Sequence, residues 1–92
     1  MRAERELVIK NRTGLHARPA AVFVQIANKY ESEITIVKEE QRVNGKSIMG
    51  ILTLAAEKGA RIMVIAEGQD AEQALEELSD MLLNDTDPQM GA

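Results

Sequence analysis

Ninety-two residues, 45% of them apolar, with a net charge of −4, make one ordinary globular domain and leave no chain for a second core. The acidic balance and the scarcity of aromatics, Phe23 and Tyr30 alone, argue against a nucleic-acid binder, which needs clustered cations and stacking platforms. Cysteine is absent, so disulfides, thiolate metal sites and cysteine nucleophiles are excluded.

An unstapled domain of this size suits a reducing compartment. The start of the chain, Met1-Arg2-Ala3-Glu4-Arg5-Glu6, is charged and lacks the apolar stretch of a signal peptide. No segment approaches the ~20 apolar residues of a membrane span. The expectation is a soluble cytoplasmic protein with no membrane insertion. Ile, Val, Leu, Met and Ala must fill its interior.

Taken in chain order, Leu7-Val8-Ile9 reads as a first strand, ending at the turn formers Asn11-Arg12-Thr13-Gly14. Pro19 suits a first helical turn, because the amide it lacks has no intrahelical acceptor there. Val22, Phe23, Ile26, Ala27 and Tyr30 then recur at helical spacing. Gln25, Asn28 and Lys29 fall on the polar side. Ile34-Thr35-Ile36-Val37 reads as a strand, Glu39 to Gln41 as a hairpin loop, and Arg42-Val43-Asn44 as the returning strand.

Ser47 is a natural N-cap for a short apolar helix containing Ile48, Met49, Ile51, Leu52 and Leu54. Gly59 interrupts, and Arg61 to Ala66 forms a strong β run. Gly68-Gln69-Asp70 turns into a last helix, with Asp70 placed to cap it. Ala71, Ala74, Leu75, Leu78, Met81 and Leu82 make its apolar stripe. The domain is expected over residues 1–84, and residues 85–92, with Pro88 and Gly91, as a loose C-terminal tail. The order βαββαβα predicts an α+β open-faced sandwich: a four-stranded antiparallel sheet with three helices on one face.

The single histidine, His16, stands where a glycine-containing turn enters a helix. Helix starts offer exposed amides and a partial positive charge, and so receive anions. The Arg18 guanidinium adds a planar fork that matches phosphate oxygens. An imidazole, with an ordinary pKa of roughly 6.5, is largely neutral and nucleophilic near pH 7. Position alone is weak evidence, since a lone histidine at a helix start is more often an idle surface residue.

The surrounding motif is more specific. Gly14-Leu15-His16-Ala17-Arg18-Pro19-Ala20 resembles the active-site motif of the HPr family of the phosphoenolpyruvate-dependent phosphotransferase system. Lys46-Ser47-Ile48-Met49-Gly50 is similar to that family's regulatory-serine motif, at the right distance. The likeness continues through Gly59, the Ile62-Val64-Ala66 strand and the Gly68-x-Asp70 turn. One departure is Gly45, where the family often has Ala or Leu, and it is expected to loosen the approach to Ser47.

The resemblance implies that His16 accepts a phosphoryl group on Nδ1 from enzyme I and donates it to an A-type component. Arg18 would be its electrostatic partner, and the amides of Ala17 and Arg18 its phosphate contacts. Ser47 would be the target of HPr kinase/phosphorylase. Met49 and Leu52 would form an exposed apolar docking patch, with Ala21, Gln25 and Asn28 completing the docking surface. The implied protein is a monomeric carrier, not an enzyme, with no cofactor. Metal binding has no support in one histidine and scattered carboxylates.

Two other readings stay open. One is the nitrogen-related branch, in which phosphate ends on a regulator and no sugar moves. The other is an HPr-like corepressor acting through phospho-Ser47, although relatives of that kind typically lack the histidine. A conventional enzyme has least support: no paired carboxylates, nucleophile-base pair or Gly-rich phosphate loop stands out.

Overall fold

A computed structural model describes residues 1–10 and 14–83. Seven elements follow in the predicted order: β1 (Arg2–Val8), α1 (Ala17–Ala27), β2 (Glu33–Lys38), β3 (Gln41–Asn44), α2 (Ile48–Leu54), β4 (Arg61–Glu67) and α3 (Ala71–Leu83). The strands form one sheet in the order β1-β4-β2-β3, and every neighbouring pair is antiparallel. The predicted tail lies outside the described residues, as does most of the turn before Gly14.

Alternation along the strands decides which face the helices cover. Leu7 pairs with Ile62, and Ile36 lies opposite Val64; with Ile34 and Ala66 these residues are buried in the core. From the helices come Ala20, Phe23 and Ala27 of α1, Ile51 and Leu54 of α2, and Ala71, Ala74, Leu75, Leu78 and Leu82 of α3. The other face of the sheet carries the exposed charges Arg2, Glu4, Glu6, Glu33, Arg61 and Glu67. Arg2 bridges to Glu4 and Glu67 there. Ile65 also belongs to that face but is buried, opposite Glu4 and Thr35.

β1 is longer than the apolar run at residues 7–9 suggested, because it is an edge strand and its first five residues, Arg2 to Glu6, are mostly charged. Charges on the outer face of an edge strand cost little and discourage edge-to-edge pairing. Ile9 lies beyond the strand, yet its backbone stays tied, with its amide on Ala60 O at 2.9 Å and its carbonyl accepting Gly59 N at 2.9 Å.

α1 stops at Ala27, short of Tyr30. Asn28 is its C-cap, and Lys29 and Tyr30 bond back three residues in a tightened turn. The Tyr30 hydroxyl is drawn to Glu77 on α3, which also receives Lys29 Nζ at 2.6 Å.

Asp70 caps α3 less simply than its place in the sequence suggests. Its carbonyl accepts the Ala74 amide at 2.9 Å, as at a helix start. Its carboxylate instead reaches back to the turn before β2, accepting Glu31 N at 2.9 Å, Ser32 N at 3.0 Å and Ser32 Oγ at 2.5 Å. That turn also explains Gly68, whose φ is +152° and where a Cβ would fall 2.5 Å from Ser32 Oγ.

Candidate functional site

His16 is the N-cap residue of α1, extended at φ −108° and ψ −158°. Its carbonyl accepts Ala20 N at 2.8 Å and closes the first turn. Its side chain makes no capping hydrogen bond and is exposed. Most N-caps spend their side chain on the helix amides; here the imidazole is left to solvent. Ala17, Arg18 and Pro19 make up the first turn, and no acidic side chain lies in it. Proline brings no amide, so the donors an anion would meet at this helix start come from Ala17 and Arg18. The Arg18 side chain is exposed.

The loop carrying His16 is held from below by the segment that follows α2. Gly14 takes φ +72°, and a Cβ on it would sit 2.6 Å from Ala56 O and 2.9 Å from Glu57 Cα. Only a residue without a side chain can lie so close to that backbone. The next residue completes the seat: Leu15 N donates to Ala56 O at 2.8 Å, and the Leu15 side chain is buried. His16 thus leaves a fixed platform and enters solvent.

α2 lies beside α1. Ser47 is its N-cap, with Oγ accepting from Gly50 N at 3.0 Å, while Ile51 N bonds to Ser47 O at 3.0 Å. Gly45 does not loosen this approach. Its amide donates to Ile34 O at 2.7 Å, Lys46 N bonds to Asn44 Oδ1 at 2.8 Å, and Ser47 N to Asn44 O at 3.1 Å. A Cβ at Gly45 would meet Ile34 Cγ2 at 2.5 Å, so glycine is what lets the turn pack against β2.

At its other end α2 stops on Ala55, a non-glycine residue in the left-handed region at φ 52° and ψ 43°. That conformation costs an L-residue about 1–2 kcal/mol. Lys38 and Gln41, from the β2–β3 hairpin, cover the last carbonyls of the helix: Lys38 Nζ reaches Leu54 O at 3.0 Å and Ala55 O at 3.4 Å, and Gln41 Nε2 reaches Thr53 O at 3.2 Å. Nothing in the sequence around Lys38 or Gln41 marks this role. A strand-end lysine bonding a helix end 16 residues later leaves no local pattern.

The residues expected to dock partners are not equivalent. Met49 is 71% exposed and Ile48 41%, so an apolar surface does lie at the start of α2. Leu52, expected to be exposed, is half-buried and packs against the core from the flank of α2, whose fully buried side carries Ile51 and Leu54. Gln25 and Asn28 are exposed and Ala21 is half-buried. With Ala17 they follow a spacing of four, four and three residues, which puts them on one face of α1. No group of carboxylates and histidine suited to a metal occurs among the described residues.

Comparison with known proteins agrees with this geometry. The family described as "PTS HPr component phosphorylation site" matches residues 3–84. The HPr-like protein Crh of Halalkalibacterium halodurans is 51% identical over 75 residues, covering 82% of this chain and 89% of the relative. A crystal structure of phosphocarrier protein HPr from Bacillus anthracis superposes with a TM-score of 0.85 at 44% identity, covering 88% of this chain and 96% of that one. The HPr dimer of Thermoanaerobacter tengcongensis gives 0.69 at 51% identity, with 82% and 86% covered. Sequence motif, element order and sheet topology converge: this chain belongs to the HPr family, the phosphocarriers of the phosphotransferase system.

Proposed function

We propose that this protein accepts a phosphoryl group on His16 Nδ1 from enzyme I, charged by phosphoenolpyruvate, and passes it to an A-type component. The observation that carries the reading is an exposed imidazole at a helix start that is spared from capping, in a first turn that also carries the exposed Arg18. In the transfer, the lone pair of Nδ1 attacks phosphorus as the bond to the donor breaks. The helix-start amides of Ala17 and Arg18 and the Arg18 guanidinium face the oxygens that carry the charge. The macrodipole contribution is about 0.3–1 kcal/mol at an exposed site, which suits a group that must be released again. The reverse attack by the acceptor empties His16, and the carrier returns unchanged.

Ser47 is the proposed regulatory site. A phosphoserine there keeps an acceptor for the Gly50 amide and adds about −1.5 to −2 charges beside the Met49 surface. We place the carrier in the cytoplasm, acting as a monomer. Its partners are enzyme I, A-type components and HPr kinase/phosphorylase.

The test is incubation with enzyme I and phosphoenolpyruvate, read by intact mass. The expected result is one acid-labile adduct of roughly 80 Da that disappears in His16→Ala. Light scattering of the same sample reports the oligomeric state. A second reading is favoured by the Crh relative, an HPr-like protein at 51% identity: a binding protein controlled through Ser47. No adduct from a competent enzyme I, with phosphorylation of Ser47 by HPr kinase, would select that reading.

A further inference from the structure

The support beneath His16 ends in a position that is conformationally costly. Ala56 O, which fixes Leu15 N at 2.8 Å, follows directly on Ala55 in its left-handed conformation. An alanine there favours leaving that region, and leaving it would swing the Ala56 carbonyl away from Leu15. Within the backbone a single bond opposes this, from Ala55 N to Leu52 O at 3.1 Å, and the carbonyls of Leu54 and Ala55 lie beyond the last amides of this seven-residue helix. Gln41 holds Thr53 O, and the side chain that opposes the swing at Ala55 itself is Lys38. Its ammonium bonds Leu54 O and Ala55 O, the carbonyls on either side of the strained backbone, and places a positive charge at the carbonyl end of the helix.

We propose that Lys38 is a positioning residue for the His16 site: it clamps the end of α2, holds Ala55 left-handed, and so keeps Ala56 O under Leu15. The inference rests on His16 being the phosphoryl acceptor, and deepens that reading. Lys38 touches neither His16 nor the docking face of α1. Its loss is therefore expected in the turnover of transfer and not in the affinity for enzyme I.

The experiment compares Lys38→Met, Lys38→Arg, Ala55→Gly and the double variant Lys38→Met/Ala55→Gly. Hydrogen exchange of the Leu15 amide is measured in the unphosphorylated protein, with Val64 of β4 as the reference for global opening. Lys38→Met is expected to speed Leu15 exchange about tenfold while Val64 changes little. Enzyme I-dependent phosphorylation should lose kcat several-fold at unchanged KM. Lys38→Arg should keep both values near the parent protein's. Ala55→Gly, which removes the conformational penalty, should restore Leu15 protection and kcat in the Lys38→Met background.

Equal acceleration of Leu15 and Val64 in Lys38→Met would make Lys38 a general stabiliser and overturn the proposal. Failure of Ala55→Gly to rescue would do the same. Absence of phosphorylation in the parent protein would refute the carrier reading instead, and the exchange data would still decide the role of Lys38 in holding the loop.

Discussion

The two ends of α1 are built on opposite plans. At its far end the chain is cross-linked by polar side chains: Tyr30 and Lys29 to Glu77, and the Glu31–Ser32 turn to Asp70. At its near end the histidine carries no capping bond, and its loop is held by backbone contacts to Ala56 from below. Charge pairing at the far end shows in the ionisation of its groups. Hydrogen bonds from Ser32 and the Glu31 amide hold the Asp70 carboxyl below its ordinary range, those from Lys29 and Tyr30 do the same for Glu77, and the Glu77 carboxylate pushes the Tyr30 hydroxyl up to about 12. A reactive side chain cannot also be a structural one without being immobilised. With His16 as the proposed acceptor, anchoring and chemistry are kept at opposite ends of one helix.

The division is sharpest in His16→Ala. Phosphoryl acceptance should vanish, while the free energy of urea unfolding should change by no more than the ~0.5 kcal/mol typical of an exposed substitution. A large loss of stability would show that His16 does structural work and would break the contrast. Asp70→Ala should give the reverse pattern: earlier unfolding, because the Glu31 and Ser32 donors lose their acceptor, with transfer at His16 preserved.

Titration tests the same contrast in the unmodified protein. Depressed carboxyl groups stabilise the fold above their unfolded values, and that stability is lost as pH falls through the folded values. The elevated Tyr30 contributes below about 10, its ordinary value, and that contribution is lost as pH rises toward about 12. Thermal scans should therefore show an acid-side decline that is blunted in Asp70→Ala, and an alkaline decline that is blunted in Tyr30→Phe. Unaltered acid and alkaline limbs in both variants would mean that the far-end bonds add no stability.

Much of this was legible in the residues themselves. The helical spacing of Val22, Phe23 and Ile26, the alternation at Ile34 to Val37 and the Ser47 cap each act locally, so a one-dimensional reading recovers them. The Gly14 to Ala20 motif placed the candidate site through its resemblance to the family; His16, Arg18 and Pro19 answer to one helix start, whereas Gly14 answers to the backbone of Ala56 and Glu57, far along the chain. What escaped was long-range. Asp70 sits where a helix cap belongs, but its carboxylate answers to donors 38 and 39 residues away. Leu52 belongs to an apolar helix whose orientation is decided only by its packing against α1 and β3. The fit of Gly45 against Ile34 became visible only once β2 and the turn after β3 were brought together.

The smallest expected effect probes the element on which the far-end anchors converge. α3 lies along β1 and β4 and buries Leu75, Leu78 and Leu82. Among them Ser79 is fully buried, and its Oγ has no hydrogen-bond partner among the described residues. A hydroxyl buried in that way loses its hydration without compensation. Ser79→Ala removes the hydroxyl, leaves a void too small to matter, and puts a better helix former in the same turn. The variant should gain about 1 kcal/mol in equilibrium unfolding, with His16 phosphorylation unchanged. If it were instead destabilised, the hydroxyl would be bonded in solution, and the hold of α3 on the sheet would depend on a polar contact in its middle as well as on the anchors at Asp70 and Glu77.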